Sequence, residues 1–342
     1  MCIRDRIKYS EIIAEFGTPN SGGIGEYRIS ENVGSLSNLP LDIGVPQSGQ
    51  IKFSDFYSKR LNQVVDLYSI GNNTSRQDAK DRWNTGNVHV VGSTKTTKTQ
   101  PPDTTDDRVI INVNNTISSV KGTQTHCALK TGNWDSGTVL VIEIGTSGKL
   151  YGSGGDGGTG GSANETAGTD GQTGSSALGI EYPCSINNLG VIQSGYGGGG
   201  GGGGNTRTTG GGKKSGATTN GSSGGGGGGG AGLPAGDGGG VQTPLAVGGG
   251  TAGSAGAAGS LSNLVSGAGT GGAGGTEAGN GGNASAVNNS ATKADDGTSP
   301  SGAAGGGTGG NNGYAIITNQ GSAPSVTGNS ATGRIITSTN PT

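Results

Sequence analysis

Eight consecutive glycines at Gly197–Gly204 and seven at Gly224–Gly230 lie within residues 152–313. That stretch holds 61 of the chain's 79 glycines. Glycine has no side chain to bury, and it loses more conformational freedom on folding than any other residue. Such a stretch cannot fold around an apolar core. Over the whole chain only 28% of residues are hydrophobic and 4% aromatic, where an ordinary globular domain is nearly half apolar. Any order within the glycine runs is expected to come from the backbone itself.

Four structures compete for the glycine stretch. A flexible Gly/Ser linker is the usual fate of this composition. Collagen is excluded, because no Gly-X-Y register is sustained and proline is scarce. A silk-like β stack is the third. The fourth is a bundle of polyglycine II helices, with three residues per turn, ~3.1 Å rise and no hydrogen bonds within one helix. Its N–H and C=O groups point outward, and glycine lets neighbouring backbones approach closely enough to pair them. The sequence shows a local period of three in Gly154-Gly155-Asp156, Gly157-Gly158-Thr159 and Gly160-Gly161-Ser162, and again from Gly271 to Thr276. Each triplet turns two faces to neighbours and one small residue to solvent. Ordering backbone costs roughly 1–2 kcal/mol per residue, and each hydrogen bond returns about 0.5–1.5 kcal/mol. Only a cooperative lattice anchored by flanking strands approaches balance. The expected fold class is thus a mainly β N-terminal part followed by a glycine-rich polyglycine II helix bundle with connecting loops.

The first 151 residues read differently. Ile7-Lys8-Tyr9-Ser10-Glu11-Ile12-Ile13 is echoed by Ile51-Lys52-Phe53-Ser54-Asp55-Phe56-Tyr57. Each copy reads as a short strand and a helix start, with Ser as N-cap and an acid in the first turn. Val88–Val91, Val109–Val113 and Val139–Ile144 are β-branched runs between turn clusters, the signature of strands. A second repeat crosses into the glycine part. Ile144–Leu150 recurs 42 residues later as Ile186–Ile192, and each copy leads into glycine. A fixed offset points to stacked units. A fainter echo falls at Leu261–Val265, and a last apolar strand at Tyr314–Thr318. The chain divides into 1–6, 7–62, 63–151, 152–313 and 314–342. The opening MCIRDR resembles a translated sequencing adapter, so it is set aside and the native start is expected to be missing. No apolar signal-peptide region follows it.

Chemistry is sparse. The formal net charge of −2 implies no broad basic surface for nucleic acid or anionic lipid. No apolar run is long enough to span a bilayer. Cys2, Cys127 and Cys184 are too scattered for a disulfide scaffold. His126-Cys127 lacks zinc spacing, and Gly212-Lys213-Lys214-Ser215 misplaces a lysine where a phosphate-binding loop needs Ser or Thr. Asp103–Asp107 reads as a solvated loop. No catalytic, cofactor or metal residues are expected, and the chain reads as a non-enzyme.

Leu150-Tyr151-Gly152-Ser153-Gly154-Gly155-Asp156-Gly157-Gly158 resembles glycine-rich tail-fibre and tail-tip proteins of bacteriophages. Ser185–Ile192 leading into Gly197–Gly204, and Gly230–Gly236, are similar, as are the corners at Tyr9–Glu11 and Phe53–Tyr57. The resemblance implies a virion location, a module at 7–62 for attachment to other tail proteins, and binding of a host receptor, either an outer-membrane protein or lipopolysaccharide. Phage adhesins of this type with a polyglycine II sandwich bind through the loops between helices. By that implication the contact residues are Arg207, Lys213 and Lys214, which could meet lipopolysaccharide phosphates, together with Leu233, Leu245, Leu261 and Leu264. The charges read first as solvated turn residues, and the leucines equally as fillers at the bundle ends. A non-adhesive virion spacer and an ice-binding protein are the other functional readings.

Overall fold

A computed structural model describes residues 8–16, 24, 49–56, 62–66, 74–84, 88–91, 108–163, 166–209, 218–242, 253–260, 269–275, 278–284, 291–297 and 304–342. The helices are short. Helix α1 spans Tyr9–Phe16, a 3-10 turn spans Phe53–Phe56, and α2 spans Ala79–Asn84. The two sequence copies do share a cap, but its donor and acceptor differ from the expectation. The Lys8 N–H donates to Glu11 at 2.8 Å and the Lys52 N–H to Asp55 at 2.7 Å. The acid reaches back to cap the turn, as in half of a capping box, so Ser10 and Ser54 do not serve as N-caps. Ile51 and Lys52 form no strand.

Among the described residues seventeen strands carry the fold. The first turn of the coil holds β1 (Asn62–Asp66), β2 (Thr74–Ser75) and β3 (Gln77–Asp78), and after α2 comes β4 (Val88–Val91). The second turn holds β5 (Arg108–Val113), β6 (Thr116–Ser118) and β7 (Cys127–Lys130). The third holds β8 (Val139–Ile144), β9 (Lys149–Tyr151) and β10 (Ser176–Ile180). The fourth starts with β11 (Cys184–Asn188) and β12 (Val191–Gln193). A hairpin of β13 (Asn205–Thr209) and β14 (Thr218–Ser222) intervenes before β15 (Tyr314–Thr318) completes that turn. The fifth holds β16 (Ser325–Gly328) and β17 (Arg334–Ile336).

Equivalent strands of successive turns pair in parallel and build three sheets. Their orders are β16-β11-β8-β5-β1-β4, β17-β15-β10-β7-β3 and β12-β9-β6-β2. The result is a three-sided parallel β-solenoid of five turns. Among the described strands only β4 on β1 and β13 on β14 pair antiparallel.

Burial of stacked apolar columns explains the register. Ile111, Ile142, Ile186 and Val326 stand in one ladder. Ile117, Leu150 and Ile192 form the second. Leu129, Leu178, Ile316 and Ile335 form the third. Their middle members are 0–1% exposed and belong to one core cluster with Trp134. Each fully buried side chain of this size contributes about 1.5–3 kcal/mol. A one-residue slip would turn every ladder outward.

The 42-residue repeat is a pair of adjacent turns. Leu150 faces Ile192 at that offset, while Ile142 faces Ile186 at 44, and the corner between the strands absorbs the difference. The glycine shared by the two copies has a steric cause, since a Cβ on Gly190 would collide with the Gly148 carbonyl oxygen.

The fold class expected for the chain is corrected. The structure is dominated by parallel sheets, and its strands run on both sides of the glycine runs: β8 pairs with β11, and β10 with β15. A β part followed by a polyglycine II helix bundle is therefore not the architecture. Among the described residues of 152–313 no helical element occurs. The physical reason is that Leu178, Ile186, Ile192 and Ile316 bury more area by rejoining earlier ladders than by leaving them. The glycine segments are excursions from the solenoid rather than a separate bundle.

Candidate functional site

Both excursions leave the solenoid at the corner between the second and third sheets. Residues 152–175 lie between β9 and β10, and residues 194–313 between β12 and β15. On the second turn the same corner holds only 119–126. In both excursions extended segments run outward and return, and they hydrogen-bond sideways into one array.

Segment 195–204 lies at the centre of this array and is buried throughout. Its amides point to three sides in rotation. Gly195, Gly198, Gly201 and Gly204 donate to Ser175, Gln172, Thr169 and Thr166. Tyr196, Gly199 and Gly202 donate to Ala231, Gly228 and Gly225. Gly197 donates to the Asn312 side chain, and Gly200 and Gly203 to Thr292 and Asp295. Its carbonyls accept from Gly155, Gly158 and Gly161, from Gly279 and Gly282, and from Gly307, Gly310 and Gly313. Backbone pairing at this density leaves no buried amide of the segment without a partner, which an interior without apolar side chains requires. It also requires glycine. A Cβ on Gly199 would fall on the Gly282 carbonyl, and one on Gly227 on the Gly199 carbonyl.

A loop on the second turn braces the array. Lys121 Nζ donates to Asp156 at 2.6 Å and to Asp237 at 2.8 Å, one carboxylate from each excursion. The Asp237 N–H also donates to Asp156 at 2.8 Å. Gly122 accepts from the Thr173 hydroxyl, and Gln124 donates to the Asn312 carbonyl. Burial lowers the Lys121 pKa, but its bonds to Asp156 and Asp237 outweigh this and hold it above 10.5. The Lys121 hydrogen bond lowers Asp237 below 3.8. A lowered folded-state carboxylate pKa stabilises above the unfolded value, and the contribution is lost as pH falls through the folded one. A raised lysine pKa acts oppositely, so its contribution is lost only above 10.5. The brace should therefore hold from weakly acidic to weakly alkaline pH and loosen in strong acid.

Lys121→Met is expected to raise amide exchange in 152–157 and 234–240 about fivefold, the yield of an ion pair worth about 1 kcal/mol. The solenoid strands should be unaffected. The same peptides should show part of that increase in the wild type at high salt. Unchanged exchange would show that the brace carries no load.

The array has a near end at the solenoid and a far end. Ser153, Ser175, Gly195, Ala231 and Gly313 mark the near end. Residues 162–163, 166, 204–205, 222–223, 240, 253, 275, 278, 297 and 304 mark the far end, as their lateral bonds show. The residues expected to contact a receptor divide between the two. Arg207 lies in β13 opposite Asn220, at the far end. Lys213 and Lys214 are outside the described residues, between the far-end positions Thr209 and Thr218. Leu245 is outside them as well, between Gln242 and Gly253. Leu233 is half-buried at the near end, and its N–H donates to Gly152 at 2.9 Å. Leu261 and Leu264 are outside the described residues, between the near-end positions Ser260 and Gly269.

Leu233-Pro234 and Val241 do not share a loop, because segment 234–240 runs from the near end to the far end beside 154–160. Asn283–Ser301 is not one loop, since 291–297 is a bonded segment. Sequence reading missed Lys121, Asp156 and Asp237. Asp156 and Asp237 each follow a glycine inside a glycine run, a signal that marks a paired charge only once Lys121 is placed beside them.

Among the described residues no three His, Cys, Asp or Glu side chains gather to hold a metal ion. Burial pushes the thiols of Cys127 and Cys184 up to about 12, which leaves both protonated at neutral pH. No helix of the described residues is long and apolar enough to cross a membrane.

No family model matches the chain, and no curated protein matches it. Among solved structures, the crystal structure of the gp37-gp38 adhesin tip complex of the bacteriophage S16 long tail fiber is similar. The likeness covers 86% of this chain and 90% of that one, at 19% identity and a TM-score of 0.37. A likeness at that level does not establish a shared fold.

Proposed function

We propose that the chain is a bacteriophage tail-fibre or tail-tip protein that binds a receptor on the bacterial host surface. The observation that carries this reading is the distribution of free groups in the array. Its interior backbone is consumed by lateral bonds, so recognition must fall to the segments that join the array's strands. At the far end the described residues that flank these joins lie away from the solenoid. They include the polar hairpin of β13 and β14, which carries Arg207 and leads into Lys213 and Lys214. Arg and Lys interspersed with Thr and Ser in the sequence of 205–222 suit phosphorylated surface glycans. A stiff support presents such groups with little ordering cost on binding. Residues 7–62 would supply attachment to other tail proteins.

The test uses the purified full chain and a panel of whole bacterial cells, read by flow cytometry. Replacing 210–217 and 243–252 by Gly/Ser segments of equal length should abolish binding, about a tenfold loss or more, with the thermal melt retained. Replacing 261–268, which joins the near-end positions Ser260 and Gly269, should leave binding intact. Binding that survives both far-end replacements would sink the reading, as would no binding to any cell type, which favours a non-adhesive spacer.

A further inference from the structure

Successive turns of the solenoid leave the second sheet in the same way. The amides of Arg76, Ser119, Gly152 and Ser194 donate to carbonyls of the next turn, at Ser118, Tyr151, Gln193 and Thr332. Ser119, Gly152 and Ser194 lead into the loop at 119–126 and the two excursions. Arg76 instead joins β2 to β3 alone. A corner of one residue holds it at a φ of 41°, and among the described residues it is the one non-glycine with a positive φ. Glycine, asparagine or aspartate meets this requirement with less strain. Strained backbone of this kind gathers at functional sites. The corner itself gives no reason for an arginine, but the side chain does.

Arg76 lines a cleft of about 320 Å³ together with Gln77, Asp78, Asp81, Cys127 and Lys130. Two turns build it, since β3 pairs with β7 and sets Asp78 opposite Lys130. Asp78 is already engaged. Its Oδ1 accepts from the Lys80 and Asp81 amides at 3.0 and 3.2 Å, which caps α2. Its Oδ2 lies 3.6 Å from Lys130 Nζ. That is an ion pair but too long for a hydrogen bond, so the ammonium keeps its donors. The exposed Arg76 guanidinium has no hydrogen-bond or ion-pair partner among the described residues. Two cations with unspent donors thus border one cleft, with the buried Cys127 beside them.

We propose that this cleft binds a sugar acid, a pyranose ring bearing one carboxylate. The Arg76 fork matches a carboxylate with two parallel hydrogen bonds, and Lys130 adds a point charge. Asp78 and Asp81 border the same cleft, so a doubly charged phosphate would meet more repulsion than a single carboxylate. Gln77 and Asp81 supply polar atoms of the kind that ring hydroxyls pair with. The volume lies at the lower end for ligand pockets, which suits a short saccharide. The site belongs to the solenoid and is independent of what the far end of the array binds. With both occupied, one chain would hold a glycan-covered surface at two places, and the contacts would reinforce each other.

Saturation-transfer NMR on the full chain tests it, with D-glucuronate, D-glucose and glucose 6-phosphate as probes. Glucuronate is expected to bind about tenfold more tightly than either of the others, the yield of one charge-assisted pair. Arg76→Gly relieves the left-handed backbone, so the chain should keep its thermal melt while glucuronate binding falls to the level of glucose. Lys130→Met, on the neighbouring turn, should weaken glucuronate binding as well. Equal binding of glucuronate and glucose overturns the proposal. So does glucuronate binding that persists in Arg76→Gly, since it then occurs elsewhere, and so does tighter binding of the phosphate ester.

Discussion

Gly199→Ala is expected to unfold the glycine array and leave the solenoid folded. The added methyl would occupy the place of the Gly282 carbonyl. Because that neighbour is backbone, no rotamer change relieves the overlap, and segment 279–284 must move. Moving it breaks the bonds from Gly282 to Gly200 and from Gly279 to Gly203. Each of those segments is itself bonded to others, so the damage spreads sideways. The cost should exceed about 3 kcal/mol, beyond the usual range for overpacking in a side-chain core. The solenoid should survive, because it then merely carries a 120-residue loop between β12 and β15. Loop closure grows only logarithmically and at that length costs about 4 kcal/mol. In hydrogen-exchange mass spectrometry, protection should vanish in 195–204, 225–231, 279–284 and 307–313. It should persist in 139–144, 184–188 and 314–318. Gly240→Ala is the control, since a Cβ there meets nothing within 4 Å. Retained protection in 195–204 of the Gly199→Ala chain would refute the packing described for that segment.

Ile142→Ala should do the reverse and take the whole molecule down in one transition. Ile142 is fully buried and lies between Ile111 and Ile186. Truncation leaves a cavity between stacked turns that have no other way to close it, for a cost of about 2–5 kcal/mol. In a solenoid each turn is held by its neighbours, so a weakened third turn releases the fourth. Both excursions hang from those two turns, and the array loses its root with them. Urea unfolding followed by tryptophan fluorescence reads this directly, because Trp134 belongs to the same core cluster. Ile335→Ala at the exposed end should shift the midpoint far less. Equal shifts for the two variants would contradict the gradient of burial along the ladders.

Much of this architecture could be read from the residues. The β-branched runs at Val109, Val139 and Tyr314 became β5, β8 and β15 within a residue of their expected limits. The repeat of Ile144–Leu150 at Ile186–Ile192 announced stacking, and the pairing of β9 with β12 shows it. Hidden from view was which strand meets which. Ile186 and Val326 are neighbours across 140 residues, and no local pattern reports a contact so distant. The glycine spacing misled for a related reason. A period of three describes how a segment offers its amides, but the architecture is set by the apolar columns to which the segments return. For the site, composition located the interruptions between glycine runs but not the end of the array at which each falls. That depends on segment direction, which puts Leu233 near the solenoid and Arg207 far from it.

The two ends of each excursion lie one hydrogen bond apart. Ser175 donates to Ser153 at 2.9 Å, and Gly313 to Gly195 at 2.9 Å. A gene encoding such a chain could gain or lose an outward-and-return pair of segments without disturbing the frame that holds it. New pairs would be added on the outermost layer, where segments such as 253–259 have fewest neighbours to satisfy. Diversity could then accumulate by whole hairpins as well as by point changes, while the strands that feed the array stay as they are.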